Sequence, residues 1–185
     1  RFRPVYYFLE KYCKKTGKVL ELGCGNARNL IPFAKAGFEC YGVDFSKKML
    51  ENAKEYVEKN KLEVNLLKMN MVNLSFEENY FDYVLFVSSL HNLPSEDRRL
   101  KALCEVYRIL KEDGLMLLTV WNRLQWRFSF RSRELHVPWQ CRGNRIDRFY
   151  HFFDYFELKR LIKKTKLRII KSNVFGKNLI FVLKK

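Results

Sequence analysis

The chain alternates between short apolar runs and longer stretches in which apolar residues recur every three or four positions. The short runs have the length of β-strands, and the longer stretches have the spacing of one helix face. Five runs predict successive strands: KVLELG at 18–23, FECYGVD at 38–44, LEVNLLKM at 62–69, YFDYVLFVSSL at 80–90 and LMLLTVW at 115–121. The fourth run is apolar at nearly every position, which is typical of a central parallel strand covered on both faces.

Helix signals fill the intervals between these strands. The stretch NARNLIPFAKAG ends at Gly37, a residue typical of a helix C-cap, and a second helix begins at the expected N-cap Ser46. Residues 95–114 predict the longest helix, with acids in its first turn, Leu110 on its apolar face and Gly114 at its end.

The remaining elements complete an α/β fold. After the fifth strand, residues 122–150 intervene, residues 155–165 predict a helix, and residues 166–185 predict two strands joined by a turn at Gly176. This order predicts a doubly wound, mostly parallel seven-stranded sheet that ends in an antiparallel hairpin. We expect a single domain over residues 1–185, with its ligand at the carboxyl ends of the first strands.

The composition indicates a globular protein of a reducing compartment. Of the 185 residues, 48% are hydrophobic, and the five cysteines form no CxxC pair, which argues against disulfides and a zinc site. The first residues lack a signal-peptide pattern and no apolar run has the length of a membrane span, so we expect a cytoplasmic protein without a membrane partner. The net charge of +16 favours a polyanionic partner, although lysine-rich proteomes produce the same balance.

Residues 122–150 hold seven arginines, six aromatic residues and no lysine. We interpret this stretch as an inserted loop. Guanidinium groups and aromatic rings stack on unpaired bases, so an RNA loop is the expected ligand. The tryptophans at 121, 126 and 139 also suit a second role, anchoring the loop to the core. The predicted RNA contacts are Trp121, Asn122, Arg123, Arg127, Arg131, Arg133, Trp139, Arg142 and Arg145.

A glycine-rich turn follows the first strand. Gly23 and Gly25 allow a ligand to approach the backbone closely and expose amide groups at the start of a helix. Arg28 stands where the dinucleotide-binding fingerprint has its third glycine, so that fingerprint fails. Asp44 ends the second strand, where it suits either a ribose diol or a helix cap.

Together these residues resemble the class I S-adenosylmethionine-dependent methyltransferases. The pattern is Glu21-Leu22-Gly23-Cys24-Gly25, then Asp44, then Phe81-Asp82-Tyr83-Val84 at the start of the fourth strand. The resemblance implies that Asp44 holds the ribose, that Phe45 packs on the adenine, and that Asn70 replaces the acid that usually binds the adenine amine. The implied cofactor-binding residues are Glu21, Gly23, Cys24, Gly25, Asp44, Phe45, Asn70, Met71, Val87 and Ser88.

A narrower resemblance lies outside the cofactor motifs. RFRP, SSLHNLPSEDRRLKAL, TVWNRLQ, VPW and RFYHFF occur in the order of the tRNA methyltransferases that esterify 5-carboxymethyluridine at the wobble position, and of the related domain of the human AlkB-type enzyme. His91-Asn92 stands where that family commonly has two histidines. The resemblance implies methyl transfer to a carboxylate in the tRNA anticodon loop.

A carboxylate acceptor needs positioning more than a strong base, because its pKa of about 4 leaves it ionised. Arg148, Arg1 and His91 are the predicted catalytic residues, which clamp one carboxylate oxygen while the other attacks. A phosphate contact or an ion pair with Asp147 is the alternative for Arg148, and a structural role is the alternative for His91. We expect His151 to be structural.

The third strand, residues 62–69, is predicted to be an apolar sheet edge, which invites pairing with another chain. The resembled family is activated by a small zinc-binding protein that covers this region, so the expected assembly is a heterodimer. A neighbouring loop or a second copy of the chain is the alternative cover. Two other functions stay open at this point: a methyltransferase of small molecules, and a non-catalytic RNA-binding protein on this fold.

Overall fold

The computed structural model describes residues 2–125, 132–141 and 144–185, with the backbone alone at 139–141 and 144–146. Seven strands form one sheet, and two further strands form a separate hairpin. The sheet contains β1 Lys18–Leu22, β2 Glu39–Asp44, β3 Asn65–Lys68, β4 Phe81–Val87, β5 Leu110–Trp121, β8 Arg168–Asn173 and β9 Asn178–Lys184. The hairpin strands are β6 Glu134–Cys141 and β7 Asn144–His151.

The strand order across the sheet is β3-β2-β1-β4-β5-β9-β8. Strands β1 to β5 run parallel, and β9 lies antiparallel to both β5 and β8. Because β2 and β4 flank β1 on opposite sides, the order reverses at β1, and such a reversal opens a crevice at the carboxyl ends of the strands. The predicted seven-stranded sheet with its C-terminal hairpin is confirmed, and β3 is a sheet edge.

Helices cover both faces of this sheet. One apolar core, with Phe8, Phe33 and Val57, lies under the first three helices, and the other, with Leu103 and Leu161, lies under the last two. Burial of these side chains holds the layers together. The helices in the described part of the chain are α1 Arg3–Tyr12, α2 Ile31–Lys35, α3 Lys47–Lys59, α4 Glu96–Ile109 and α5 Tyr155–Lys163.

Two helices are shorter than predicted. The helix expected to reach Gly114 ends at Ile109. Leu110 has extended backbone angles and begins β5, where it pairs with Phe81 of β4. Leu110 is completely buried there, so core packing favours the strand over another helical turn. The helix expected after the glycine-rich turn is confined to α2, because residues 26–30 continue that turn.

The predicted helix ends are confirmed at two positions. Ser46 Oγ accepts a hydrogen bond from Met49 N (3.3 Å) at the start of α3, and Gly37 takes a left-handed φ of 81° after α2. α1 was missing from the prediction, although Val5 and Phe8 lie at helical spacing and are buried in the core.

The arginine-rich stretch contains the hairpin β6–β7, which corrects the prediction of a loop. Leu135 and Val137 are half-buried and pack with Tyr150 and Phe152, while the residues beside them in β6 are exposed. This period of two is the pattern of a strand with one covered face. The covered face packs against Trp121, so the hairpin lies at the carboxyl end of β5.

Candidate active site

Two adjoining cavities open at the carboxyl ends of β1, β2 and β4. The first, called here the hairpin cavity, has a volume of about 670 Å³, and its lining residues include Glu21 of β1 and the hairpin residue Tyr150. The second, the Asp44 cavity, has a volume of about 480 Å³. An elongated ligand can lie across both, because the same central residues line each of them: Gly23, Gly25, Met49, Ser88, Asn92 and Arg148.

The backbone after β1 creates much of this space. Gly23 and Gly25 have φ angles of 67° and 56°, a region that residues with a Cβ atom disfavour. A Cβ atom at Gly23 would lie 2.6 Å from Cβ of Ser89, so only glycine fits. Ser88, at the end of β4, is also left-handed, with a φ of 54°. Such unusual backbone angles cluster at ligand sites.

Asp44 fixes the glycine-rich turn. Its Oδ2 accepts a hydrogen bond from Gly25 N (3.0 Å), and its Oδ1 accepts one from Ser46 N (2.9 Å). The contact with Ser46 supports the helix-cap alternative, and the ribose alternative stays a prediction. The carboxylate stabilises the start of α3, and its remaining lone pairs can accept hydroxyl donors in the Asp44 cavity that it lines.

The predicted adenine contacts line the same cavity. Phe45 is 73% exposed, which leaves its ring open to a planar ligand. Asn70 Oδ1 accepts a hydrogen bond from Val72 N (3.2 Å) and retains a second lone pair for a ligand amine. Met71 contributes to the same wall, whereas Val87 lines the hairpin cavity.

Glu21 is a buried acid with an unpartnered oxygen. It is 1% exposed, and its Oε1 accepts a hydrogen bond from Asn29 Nδ2 (2.6 Å). Among the described residues, its Oε2 has no hydrogen-bond partner. Burial raises the pKa of Glu21 to about 8, against the opposing effect of the Asn29 hydrogen bond. A buried oxygen without a partner in a cavity wall is suited to a hydrogen-bond donor on a ligand. If that donor is an ammonium group, its positive charge also stabilises the ionised carboxylate.

Cys24 contributes its backbone to the site. Its Sγ packs against β2, where a Cβ atom at Gly42 would lie 3.0 Å away. Burial raises the pKa of the Cys24 thiol far above its usual range, so the thiol does not ionise near neutral pH. A thiol that stays protonated is a poor nucleophile.

Three rings form the hairpin end of the site. Trp121 and Tyr150 stack with centroids 4.7 Å apart, and the His91 ring lies 5.1 Å from that of Tyr150. His91 is 1% exposed, and its Nδ1 accepts a hydrogen bond from Trp121 N (3.3 Å). Burial lowers the pKa of His91 to about 3, so the ring is neutral and carries its proton on Nε2. It can donate one hydrogen bond but does not supply a positive charge.

Arg148 enters the site from β7. It lines both cavities, as does Asn92 on the short 3-10 helix Leu90–Asn92. The hairpin thus delivers a guanidinium group to the boundary between the cavities. Of the three predicted catalytic residues, Arg148 and His91 are brought together, and Arg1 lies outside the described residues.

The predicted RNA contacts separate into different environments. Trp121 lines the hairpin cavity, and Arg123 is half-buried at the base of the hairpin. Asn122 is 4% exposed, and its Nδ2 donates to the carbonyls of Val174 and Gly176 (both 3.1 Å), a structural role that corrects its assignment. Four candidates of this stretch lie outside the described residues: Trp126, Arg127, Arg131 and Arg142. For Trp139 and Arg145 the backbone alone is described.

The base of the hairpin is held to α5 by ionic contacts. Arg133, another predicted RNA contact, pairs with Asp154 (2.8 Å) and with Glu157, and its RNA contact stays a prediction. His151 is 5% exposed, with Nε2 2.6 Å from Glu157 Oε1 and Nδ1 3.2 Å from Glu134 Oε1. The expected structural role of His151 fits this position.

Several cavity residues were missed from the sequence. Met49, Asn52 and Tyr56 line the hairpin cavity at positions i, i+3 and i+7 of α3. That helical spacing after a predicted N-cap was a usable signal. Phe2 and Asn29 also line this cavity, and no local pattern marks them.

Neither a metal centre nor a membrane helix is found in the described part of the chain. Its His, Cys, Asp and Glu side chains form no group of three that could hold a metal ion. None of its helices has the length and apolar character that crossing a bilayer requires.

Residues 20–118 match the family model described as "Methyltransferase domain". A putative methyltransferase of Encephalitozoon cuniculi is 28% identical over 186 residues, covering 96% of this chain and 83% of that protein. A demethylmenaquinone methyltransferase of a Geobacillus strain is 38% identical over 105 residues, covering 55% of this chain and 44% of that protein. The match to the Geobacillus enzyme thus spans less than half of that enzyme's length.

A solved structure shares the fold over nearly the whole chain. It is the 1,6-didemethyltoxoflavin-N1-methyltransferase of Burkholderia thailandensis, with 1,6-didemethyltoxoflavin and S-adenosylhomocysteine bound. The TM-score is 0.75 at 18% identity, with 99% of this chain and 77% of that chain covered.

The described residues fit S-adenosylmethionine. The unpartnered Oε2 of Glu21 suits the ammonium of its methionine part. The turn at Gly23 leaves room that a Cβ atom would fill, and Asp44 has lone pairs for the ribose hydroxyls. Phe45 offers an exposed ring beside Asp44 for the adenine.

Proposed function

The chain belongs to the methyltransferase domain family of S-adenosylmethionine-dependent enzymes, and on that premise we propose that it methylates the carboxylate of 5-carboxymethyluridine, or a related group, at the wobble position of tRNA. The observation that carries this proposal is the position of Arg148. It lines both cavities, the one with Asp44 and the one with Glu21 and the hairpin residue Tyr150, which supports a role beside both the cofactor and an acceptor.

An arginine in this position favours a carboxylate acceptor, because its planar fork matches the two oxygens. The cofactor, held by Glu21, Gly23 and Asp44, would supply a methyl group on its sulfonium; a C–O bond to the acceptor would form as the C–S bond breaks, and S-adenosylhomocysteine would be the leaving group. A carboxylate with a pKa of about 4 is already ionised and has no proton to lose. His91 agrees with that chemistry: with a pKa of about 3 it is a poor base, but its Nε2–H can hold the second oxygen.

The ring wall favours a nucleobase as the body of the acceptor. Trp121 and Tyr150 line the hairpin cavity and stack on each other at an interplanar angle of 21°, so aromatic groups form part of its wall. Single-stranded RNA is commonly recognised by stacking of a splayed base on such rings. The net charge of +16 adds attraction to the phosphates of an anticodon loop.

The partner proposal concerns the outer edge of β3. Strand β3 pairs with β2 on one side only, so its other edge is free of strands in the sheet. Val64, Leu66 and Leu67 are half-buried beside it. We propose that the small zinc-binding activator pairs there. Co-expression followed by co-purification tests it, and loss of the complex on Leu66→Lys, in a variant that still unfolds cooperatively, is the expected result.

The test of function is transfer of labelled methyl from S-adenosylmethionine to bulk tRNA, with the activator present, followed by mild alkali. Label that joins tRNA and leaves as methanol is the expected result, because an ester hydrolyses in alkali. Label that survives alkali would mean methylation of a base or a ribose, and the proposed acceptor would be wrong. The Arg148→Lys variant serves as a matched control, since it keeps the charge and loses the fork.

A small-molecule acceptor is the second candidate. It is favoured by the Geobacillus demethylmenaquinone methyltransferase, which is 38% identical over 105 residues. If tRNA takes no label while cofactor binding is intact, a quinone or lipid precursor becomes the acceptor to try. Insensitivity of activity to salt would point the same way, because phosphate contacts are weakened by salt.

A further inference from the structure

A third cavity lies between the start of α5 and the turn that joins β8 to β9. It has a volume of about 1120 Å³ and is called here the turn groove. Three of its lining side chains are apolar and strongly exposed: Leu124 at 73%, Phe156 at 79% and Phe175 at 85%. A cluster of exposed apolar side chains around one concave surface marks a binding site more often than isolated exposed residues do.

The turn groove is held in shape by hydrogen bonds. Asn122 Nδ2 donates to the carbonyls of Val174 and Gly176, and Gln125 Nε2 donates to the carbonyl of Lys177 (2.6 Å). Phe175 N donates to the side chain of Asn173 (3.0 Å). The exposed ring of Phe175 therefore stands on a fixed turn.

The charge around the turn groove suits a polyanion. No carboxylate is found among the described residues that line it, and Lys177 is its cation. Lys159 Nζ lies 5.6 Å from the ring of Tyr155, which also lines it. The nearby acids Asp154 and Glu157 are both paired with Arg133, so they oppose an anionic ligand little.

The turn groove also adjoins the active site along the chain. Trp121 and Asn178 line the hairpin cavity and face each other in the β5–β9 pairing. Their sequence neighbours Asn122 and Lys177 line the turn groove. A chain of nucleotides with one base in the hairpin cavity can therefore reach the groove without a long path.

We propose that the turn groove binds a second nucleobase of the single-stranded RNA, stacked against the exposed rings of Phe156 and Phe175. This inference rests on the proposed RNA substrate. Aromatic rings beside cations are the usual platform for unpaired bases, since every base has a face to stack and a phosphate to neutralise. The groove adds affinity for RNA and takes no part in the methyl transfer.

The test compares Phe156→Ala, Phe175→Ala and the double variant with Ile170→Ala, an exposed apolar residue that does not line the groove. Binding of an unmodified anticodon stem-loop RNA is measured by fluorescence anisotropy. We expect each phenylalanine variant to bind about tenfold more weakly, and Phe156→Trp and Ile170→Ala to bind as the parent does. Melting temperatures should not change, because the truncated rings are exposed.

The outcomes separate this inference from the proposed function. Unchanged RNA binding by the double variant would overturn the groove, whether or not tRNA is methylated. Weaker RNA binding without any tRNA ester would keep the groove and reject the acceptor. If the double variant binds RNA normally but loses a co-purified protein, the groove is a protein interface and the inference is wrong.

Discussion

The two cavities of the active site are built in different ways. The Asp44 cavity depends on short stretches of backbone, in which Gly23 and Gly25 take left-handed angles and Asp44 accepts hydrogen bonds from the amides of Gly25 and Ser46. The hairpin cavity depends on side chains that are far apart in sequence, such as His91 and Arg148. Local geometry therefore fixes the Asp44 cavity, called here the cofactor side, and tertiary packing fixes the hairpin end of the other cavity, called here the acceptor side. The methionine part of the cofactor is expected between them, at Glu21.

The difference implies that the two sides can fail separately. Contacts of Arg133 and His151 with α5 hold the base of the hairpin, and they lie outside both cavities. Damage to the hairpin should lower activity and leave the cofactor bound. Damage to the turn after β1 should abolish cofactor binding, whatever the acceptor is.

The largest effect is expected from Gly23→Ala. The new Cβ atom would lie 2.6 Å from Ser89 Cβ, at a φ of 67°, so strain and overlap add. We expect cofactor affinity to fall by about a hundredfold or more. Isothermal titration with S-adenosylhomocysteine measures it.

Gly37→Ala is the matched control for backbone strain. Gly37 has a φ of 81°, but a Cβ atom there would lie 4.0 Å from Thr16 Cγ2, at ordinary contact distance, and Gly37 lies outside both cavities. This variant should lose a few degrees of melting temperature and keep its cofactor affinity. Equal affinities for the two alanine variants would show that the turn at Gly23 does not shape the cofactor side.

Arg148→Ala should have the opposite effect from Gly23→Ala: the protein should lose activity and keep its affinity for the cofactor. We expect kcat/KM on tRNA to fall on the order of a hundredfold, because alignment and the carboxylate contact are lost together. Cofactor affinity should change less than about threefold, although Arg148 lines both cavities. Arg123→Ala removes the same charge from the base of the hairpin and should cost only a salt-dependent, severalfold loss. A similar loss from both variants would reduce Arg148 to a phosphate contact.

The same contrast explains what the sequence could predict. The cofactor side was predictable because Gly23, Gly25 and Asp44 act through local backbone geometry, and a motif of fixed spacing records it. The strands and their order along the chain followed from the apolar runs for a similar reason. Neither depends on how distant segments meet.

The acceptor side was predictable only in part. Asn122 and Arg123 are adjacent in the same arginine-rich stretch, yet Asn122 is buried under the β8–β9 turn. The pairing of Trp121 with Tyr150 arises because β7 folds back onto the end of β5. Such contacts depend on tertiary packing, which the composition of one stretch does not record.

Glu21 should make cofactor binding depend on pH. Its pKa of about 8 means that the cofactor-free protein holds this carboxyl protonated at neutral pH. An ammonium group binds the ionised form, so affinity should rise with pH by up to about tenfold per unit and level off near pH 8. Titrations with S-adenosylhomocysteine from pH 6 to 9 measure this slope.

The stability of the cofactor-free protein should have the opposite slope. In the unfolded chain Glu21 has its ordinary pKa of 4.5, so between about pH 5 and 8 the folded state alone holds the proton. The free energy of unfolding should therefore fall as pH rises, by up to about 1.4 kcal/mol per unit. Glu21→Gln should flatten both slopes, and persistence of either in that variant would assign it to another group.

The smallest effect is expected from Phe45→Ala. Phe45 is 73% exposed, so its removal should not change the melting temperature, and stacking on adenine is worth only about a twofold to tenfold change in cofactor affinity. Phe175→Ala, at 85% exposure and outside both cavities, is the matched control and should bind the cofactor normally. An effect on S-adenosylhomocysteine but none on methionine would assign Phe45 to the adenosine end. No effect on either ligand would mean that backbone geometry and Asp44 suffice to hold the adenosine. Exposed side chains would then contribute nothing to the cofactor side.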